Sequence, residues 1–187
     1  NDFLLALGYK GEKIKEYFLN YNYLTSNLTV NLKSGDVLKT EDSEDKWNVQ
    51  MIDTGNKSMT GGRVNRLKKF LIKDKTFMVT YGDGLGDIDI SKLISFHKKH
   101  GKIATMVAVR PPARFGSIIF DKNKVLEFKE KPQTSEGWIN GGFFIFETKI
   151  FDYLHDDETV LESDTLENLA KAGELMAYKH QGFWQCM

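Results

Sequence analysis

Cysteine is almost absent from this chain of 187 residues. Cys186 stands alone, so an intrachain disulfide and a four-cysteine zinc site are both excluded. An excess of charge of one sign is also missing, because 26 Lys+Arg balance 26 Asp+Glu. That balance argues against nucleic acid as the main partner, which calls for a basic face, and provides no polybasic membrane anchor. No apolar run approaches the roughly 20 residues that a bilayer-spanning helix needs. The four histidines, His97, His100, His155 and His180, show no metal-ligand spacing. Internal repeats and low-complexity segments are absent too. These gaps point to a cytoplasmic protein. What is present is core: 41% hydrophobic and 12% aromatic residues rule out a disordered chain, and the length suits a single domain over 1–187.

The apolar pattern alternates between strand and helix signals. Phe3–Leu7 reads as a buried strand. Gly11–Asn22 places Ile14, Tyr17, Phe18 and Tyr21 on one helical face. Leu28, Val30 and Leu32 alternate as a half-buried strand, and 33–46 is polar and reads as a loop. Trp47–Asp53 is a strand, Thr54–Gly62 a loop and Arg63–Leu71 a helix. Thr76–Tyr81 is a β-prone run broken by Gly82-Asp83-Gly84. Asp89 caps a helix with Ile90, Leu93, Ile94 and His97 inward, and His97 reads as a satisfied core histidine. Ile103–Val109 is a further strand, while Ser117–Phe120 and Val125–Lys129 form a hairpin. Phe143–Phe146 and Leu175–His180 are strands, and Asp164 with Glu167 opens a helix that Gly173 ends. Continuous apolar strands alternating with helices predict an α/β three-layer sandwich with a mostly parallel, partly mixed sheet.

Ligands of open α/β sheets bind at the carboxyl ends of strands. Three segments there have unusual composition. Thr54–Gly62 ends in two glycines before Arg63, an arrangement that lets backbone approach an anion or a base edge. Its plain alternative is a flexible loop. Asp83 lies between two glycines after a buried strand, which suits a Mg²⁺ ion bound by one or two carboxylates plus substrate phosphates. The plain alternative is a turn aspartate bonded to its own backbone. Asp87 reads as loop solvation. Lys131, stiffened by Pro132, can neutralise a phosphate, and Asn140 offers a donor and an acceptor to a sugar hydroxyl.

Several motifs occur together in order: Ser58-Met-Thr-Gly-Gly-Arg63, Tyr81-Gly-Asp-Gly84, Glu130-Lys-Pro132, Ile139-Asn-Gly-Gly-Phe-Phe144 and Gly182-Phe-Trp-Gln185. With them the chain resembles the sugar nucleotidyltransferases, and Ser58–Arg63 points to their glucose-1-phosphate cytidylyltransferase branch. The resemblance implies a Rossmann-like nucleotide-diphospho-sugar transferase fold, and transfer of a cytidylyl group from CTP to glucose 1-phosphate. Asp83 then matches the Mg²⁺ ligand and Gly82 a nucleotide contact. Ser58, Thr60, Gly61 and Gly62 match the loop that meets cytosine and ribose, and Arg63 an arginine on the nucleotide. Lys131 matches the sugar-phosphate lysine, while Glu130, Asn140 and Gly141 match hexose-binding positions. The family's Gly-rich phosphate loop and a second metal aspartate have no counterpart in these residues. The chain is therefore expected to be a piece truncated at both ends, doubtful as a catalyst by itself. The family also implies a homo-oligomer, a hexamer, with Tyr17–Tyr23 as its contact surface or else as a core helix. Its product feeds surface-polysaccharide synthesis. The readings that compete are a UTP- or dTTP-dependent relative, a glycosyltransferase using Asp87-Ile88-Asp89 as its metal motif, and a non-catalytic sugar-nucleotide-binding fragment.

Overall fold

The first apolar run forms strand β1 (Asp2–Leu7), and in the computed structural model it lies parallel to a strand more than forty residues later. Residues 2–40, 46–111, 117–121, 124–129 and 137–187 are described. They divide into two units, Asn1–Lys69 with His155–Leu161, and Phe70–Leu154 with Glu162–Met187.

In the first unit β1 leads to helix α1 (Gly11–Leu19) and a short turn of helix, α2 (Tyr21–Leu24). The aromatic stripe of α1 packs mainly on itself, Tyr17 edge-on to Phe18 at 5.3 Å, and Ile14 and Tyr17 remain exposed. Among the described residues, strands β2 (Leu28–Val30) and β3 (Val37–Lys39) pair with each other and with no further strand. This corrects two expectations: the Leu28–Leu32 segment is exposed rather than half-buried, and a strand lies inside the expected 33–46 loop. A two-stranded ribbon that the described residues leave uncovered has no face to bury. Strand β4 (Asn48–Asp53) runs parallel to β1 with Leu7 opposite Asp53, so both strands end at the same level. Helix α3 (Thr60–Arg66) follows, and α4 (Lys68–Leu71) completes the expected helical stretch. Because α3 starts at Thr60, Gly61 and Gly62 lie inside the helix rather than ahead of it.

The second unit is built on a four-stranded mixed sheet. Its strand β5 (Thr76–Thr80) is followed by β6 (Gly84–Gly86), helix α5 (Ile90–His100) and β7 (Ala104–Val109). The hairpin β8 (Ser117–Asp121) and β9 (Lys124–Lys129) forms as expected. Strand β10 (Ile139–Glu147), a 3₁₀ turn (Thr148–Tyr153), a π-type turn (Leu161–Thr165), helix α6 (Leu166–Lys171), β11 (Leu175–Lys179) and β12 (Trp184–Cys186) complete it. The sheet order is β11-β7-β10-β5, with β7 and β11 parallel and β10 antiparallel to both neighbours. The mixed sheet of an α/β fold is borne out, with fewer parallel pairs than continuous apolar strands suggest. A strand covered on both faces reads as a continuous apolar run whichever way it points.

Leu93, Val107, Val109, Phe144, Ile145 and Phe146 are essentially inaccessible to solvent and form the core of this unit. Each contributes roughly 1.5–3 kcal/mol of burial. Asp89 caps α5 by accepting the Lys92 N–H at 3.0 Å, and Gly101 ends it in the left-handed region at φ 65°. His97 is buried between Thr105 Oγ1 at 2.8 Å and Glu147 Oε1 at 3.3 Å, as expected of a core histidine, whereas Ile90 stays exposed in the first turn. The expected Asp164–Glu167 cap does not form. The π-type turn delays the helix to Leu166, and Thr165 at its N-cap bonds Tyr153 O at 3.2 Å instead.

Candidate active site

The candidate residues are shared between the two units. In the first, β1 and β4 stop together, and Thr54 closes their carboxyl ends. Its N–H and its hydroxyl both donate to Leu7 O at 2.8 Å. Ser58 is buried and donates to Thr54 O at 2.6 Å, which folds the loop back on the strand end. The Arg63 Nη1 donates to Thr54 Oγ1 and Gly55 O, each at 2.9 Å, and to Leu7 O at 3.3 Å. Gly8 lies against this guanidinium; a Cβ there would stand 2.7 Å from Arg63 Cζ. One nitrogen of Arg63 thus ties three strand-end oxygens, and a nucleotide contact must use the other edges of the group.

The segment 155–161 locks α3 in place. Met59 N–H donates to Asp157 O at 2.8 Å, Gly62 N–H to Thr159 O at 3.1 Å, and Leu161 N–H to Thr60 Oγ1 at 2.9 Å. Arg66 grips Asp157 through Nε at 2.7 Å and through Nη2, and its guanidinium holds the Asp157 carboxyl below its usual range. Gly61 and Gly62 are buried under this segment: a Cβ would lie 2.7 Å from Thr159 O and 2.7 Å from Asp157 Cα respectively. The expected exposed amides ahead of a helix are corrected accordingly, since the close approach these glycines permit is to the protein's own backbone. Asp157, Thr159 and Arg66 were not legible as part of this loop. Close to a hundred residues separate the two segments, and no local pattern links them.

Arg63→Lys is expected to lower stability by about 1–3 kcal/mol, because one ammonium cannot serve all three strand-end oxygens and leaves part-buried acceptors unpaired. A urea midpoint unchanged from the wild type would remove this clamp role.

In the second unit β5 ends at Thr80, and Tyr81-Gly82-Asp83 turns out of the sheet. Tyr81 N–H donates to Gly142 O at 3.0 Å, binding this turn to the Asn140-Gly141-Gly142 bend of β10. Asn140 Oδ1 accepts Gly142 N–H at 2.9 Å, and Gly142 sits at φ 76° with its Cα against the Tyr81 ring. Gly141 O accepts the Trp184 indole N–H at 2.8 Å. The Tyr81 hydroxyl donates to Glu162 and accepts from Asn140 Nδ2 at 3.4 Å. Burial first, then the bond to Glu162, push its pKa well above the usual tyrosine range. Of the expected residues, the structure therefore brings Gly82, Asp83, Asn140 and Gly141 to one end of the sheet, and adds Tyr81, Glu162 and Trp184.

Asp83 is exposed on this turn. Its carbonyl accepts Met187 N–H at 2.9 Å, and its Oδ2 meets only the weak Cys186 thiol donor at 3.6 Å among the contacts described. Among the described residues no group of three or more His, Cys, Asp or Glu can hold a metal. An unshielded single carboxylate at a strand end fits Mg²⁺ completed by phosphates and water, and does not fit an all-protein cage. Asp87, expected to be solvated, is paired with His180 Nε2 at 2.8 Å, and Asp89 is spent on its cap and on Lys92. The Asp-x-Asp metal motif of the glycosyltransferase reading is thus already engaged. Glu130 and Lys131 lie outside the described residues.

Residues 15–185 match the nucleotidyl transferase family. The glucose-1-phosphate cytidylyltransferase of Salmonella typhi is 44% identical over 186 residues, covering 100% of this chain and 72% of that protein. The probable glucose-1-phosphate cytidylyltransferase of Bacillus subtilis is 44% identical over 185 residues, covering 98% and 72%. Among solved structures, HddC from Yersinia pseudotuberculosis superposes with a TM-score of 0.65 at 23% identity, over 99% of this chain and 72% of that one, a likeness of fold. A Gly-Asp-Gly turn at a strand's carboxyl end, a mixed α/β sheet and a match running over nearly the whole length agree: the chain belongs to the nucleotidyl transferase family.

Proposed function

We propose that this protein transfers a cytidylyl group from CTP to α-D-glucose 1-phosphate, giving CDP-glucose and pyrophosphate. The observation that carries this is the 44% identity to glucose-1-phosphate cytidylyltransferases along the entire chain. An oxygen of the sugar phosphate attacks the α-phosphorus of CTP in line. The bond from that phosphorus to the bridging oxygen breaks, and pyrophosphate leaves. A phosphate monoester is already a nucleophile at neutral pH, so the reaction calls for positioning and charge neutralisation rather than a general base. Asp83 would hold Mg²⁺, which supplies that neutralisation when bound. Lys131 holds the attacking phosphate, while Glu130, Asn140 and Gly141 receive the hexose. The Ser58–Gly62 loop, tied down by Arg63, receives cytosine and ribose, and Gly82 contacts the nucleotide.

The proposed assembly is a homo-oligomer, a hexamer, and the exposure of Tyr17 and Tyr23 supports this stretch as its contact surface. No described helix is long and apolar enough to cross a membrane, and the proposed location is the cytoplasm.

The whole gene product, offered CTP, UTP, dTTP and ATP with glucose 1-phosphate and Mg²⁺, is expected to form CDP-glucose and one pyrophosphate per turnover. A different nucleotide as the main donor overturns the cytidylyl assignment. Consumption of a supplied nucleotide sugar without pyrophosphate makes the protein a glycosyltransferase. Binding of CTP without turnover makes it a sugar-nucleotide-binding protein.

A further inference from the structure

At the opposite end of the second unit's sheet lies a basin of about 780 Å³ that the proposed reaction does not use. Lys75 and Thr76 start β5 at its rim, whereas Asp83 follows the far end of the same strand. Roughly 17 Å of extended chain therefore separates the basin from the metal-binding turn. The volume lies within the roughly 300–1,000 Å³ of ordinary small-molecule sites.

The lining carries an excess of positive charge, four lysines to two glutamates. Its two carboxylates, Glu147 and Glu174, are engaged by the protein. Glu147 Oε1 accepts from the Thr76 hydroxyl at 2.9 Å and faces His97 Nε2 at 3.3 Å. Glu174 accepts the Lys102 ammonium at 3.1 Å and the Ile103 N–H at 3.2 Å.

The orientation of the His97 contact follows from its neighbours. Lys102 N–H donates to His100 Nδ1 at 2.9 Å, so the neutral His100 ring carries its proton on Nε2 and donates it to Thr105 Oγ1 at 2.7 Å. The Thr105 hydroxyl is then free to donate to His97 Nδ1 at 2.8 Å, which puts the His97 proton on Nε2, facing Glu147. The floor is therefore satisfied by the protein itself. The lining also carries Lys75, Lys98 and Lys149; Lys149 lies within electrostatic reach of Glu174, and the described residues show no hydrogen bond or close ion pair at any of the three ammonium groups. In a chain whose charges balance overall, this basin gathers four lysines, Lys75, Lys98, Lys102 and Lys149, against two glutamates.

We propose that this basin is a second anion site, separate from the catalytic one, which takes a small ligand through a phosphate or diphosphate group. Lys75, Lys98 and Lys149 supply point charges to the phosphate oxygens, and Tyr153, also in the lining, can donate its hydroxyl. Attraction to a cluster of this kind weakens as salt is raised.

The test is calorimetry on the whole gene product with inorganic pyrophosphate, with CTP at just the concentration that occupies the catalytic site, because excess CTP would compete for the basin through its own phosphates. The expected result is one remaining pyrophosphate site per chain, weakened by salt. The triple variant Lys75→Gln/Lys98→Gln/Lys149→Gln is expected to lose it by about tenfold or more while keeping kcat and KM for CTP. A parallel titration with ribose 5-phosphate distinguishes an esterified phosphate from free pyrophosphate as the ligand. Should neither probe bind beyond the catalytic site, or should the triple variant bind as the wild type does, the proposal fails. A protein that does not bind CTP leaves the comparison of wild type with the triple variant intact, so failure of the catalytic reading is seen separately.

Discussion

Asp83→Asn in the whole gene product is expected to abolish Mg²⁺-dependent turnover. The carboxylate stands exposed at the end of β5, with a weak thiol contact at 3.6 Å as its described side-chain partner. Removing its charge therefore takes little from the fold and most of what the site offers a hard cation. Losing one such electrostatic contact costs about 2.7–4 kcal/mol in the barrier, or roughly 10²–10³ in rate. The substitution is nearly isosteric, so the thermal midpoint is expected to stay with the wild type. Steady-state rates over a Mg²⁺ titration check the prediction, and retained activity at ordinary Mg²⁺ removes Asp83 from its role. Gly82→Ala is the companion variant. A Cβ at Gly82 meets nothing within 4 Å, so any loss of turnover there reports contact with ligand rather than damage to the protein.

Gly62→Ala is expected to act the other way, on the fold first. The new methyl would lie 2.7 Å from Asp157 Cα and 2.8 Å from its carbonyl carbon, atoms that no rotamer change can move aside. The 155–161 segment must lift from α3, straining the bonds from Met59 and Gly62 and the grip of Arg66 on Asp157. Overpacking of this kind costs about 1–3 kcal/mol, a fall of several degrees in thermal midpoint for a protein of this size. Loss of CTP binding is expected to follow because the loop is displaced. A raised KM for CTP with an unchanged thermal midpoint would restore the reading in which the glycine serves ligand approach alone.

The two ends of the second unit's sheet show how unequal the sequence is as a guide. Asp83 was legible as a strand-end carboxylate because a β-prone run and two glycines are adjacent to it, and the structure puts it where that pattern places it. The Asp89 cap and the core position of His97 were legible for the same reason, since each depends on residues within a few positions. Tyr81 was visible only as part of a motif. Its partner Glu162 lies eighty-one residues on, and nothing local marks it. Asp87 read as a solvated loop residue because His180, its partner, returns to it only when β11 is in place. The β2–β3 ribbon was misjudged for a different reason: alternation predicts a strand but cannot say whether anything covers it.

By itself, then, the sequence determined the strands and helices of long, strongly patterned segments, the balanced charge, and the motif order that places the chain among nucleotidyl transferases. These depend on side-chain type and on spacing within a few residues. Only the tertiary structure decided which way β10 runs between its neighbours, that Gly61 and Gly62 lie under the backbone of 157–159, and that Arg63 spends a nitrogen on three strand-end oxygens. It also decided that Lys75, Lys98, Lys102 and Lys149 gather around one basin with only Glu147 and Glu174 among them. Each of these follows from contacts between segments far apart in the chain. Their partners are set by how the sheet and its connections bring the backbone together, which no window of neighbouring residues encodes.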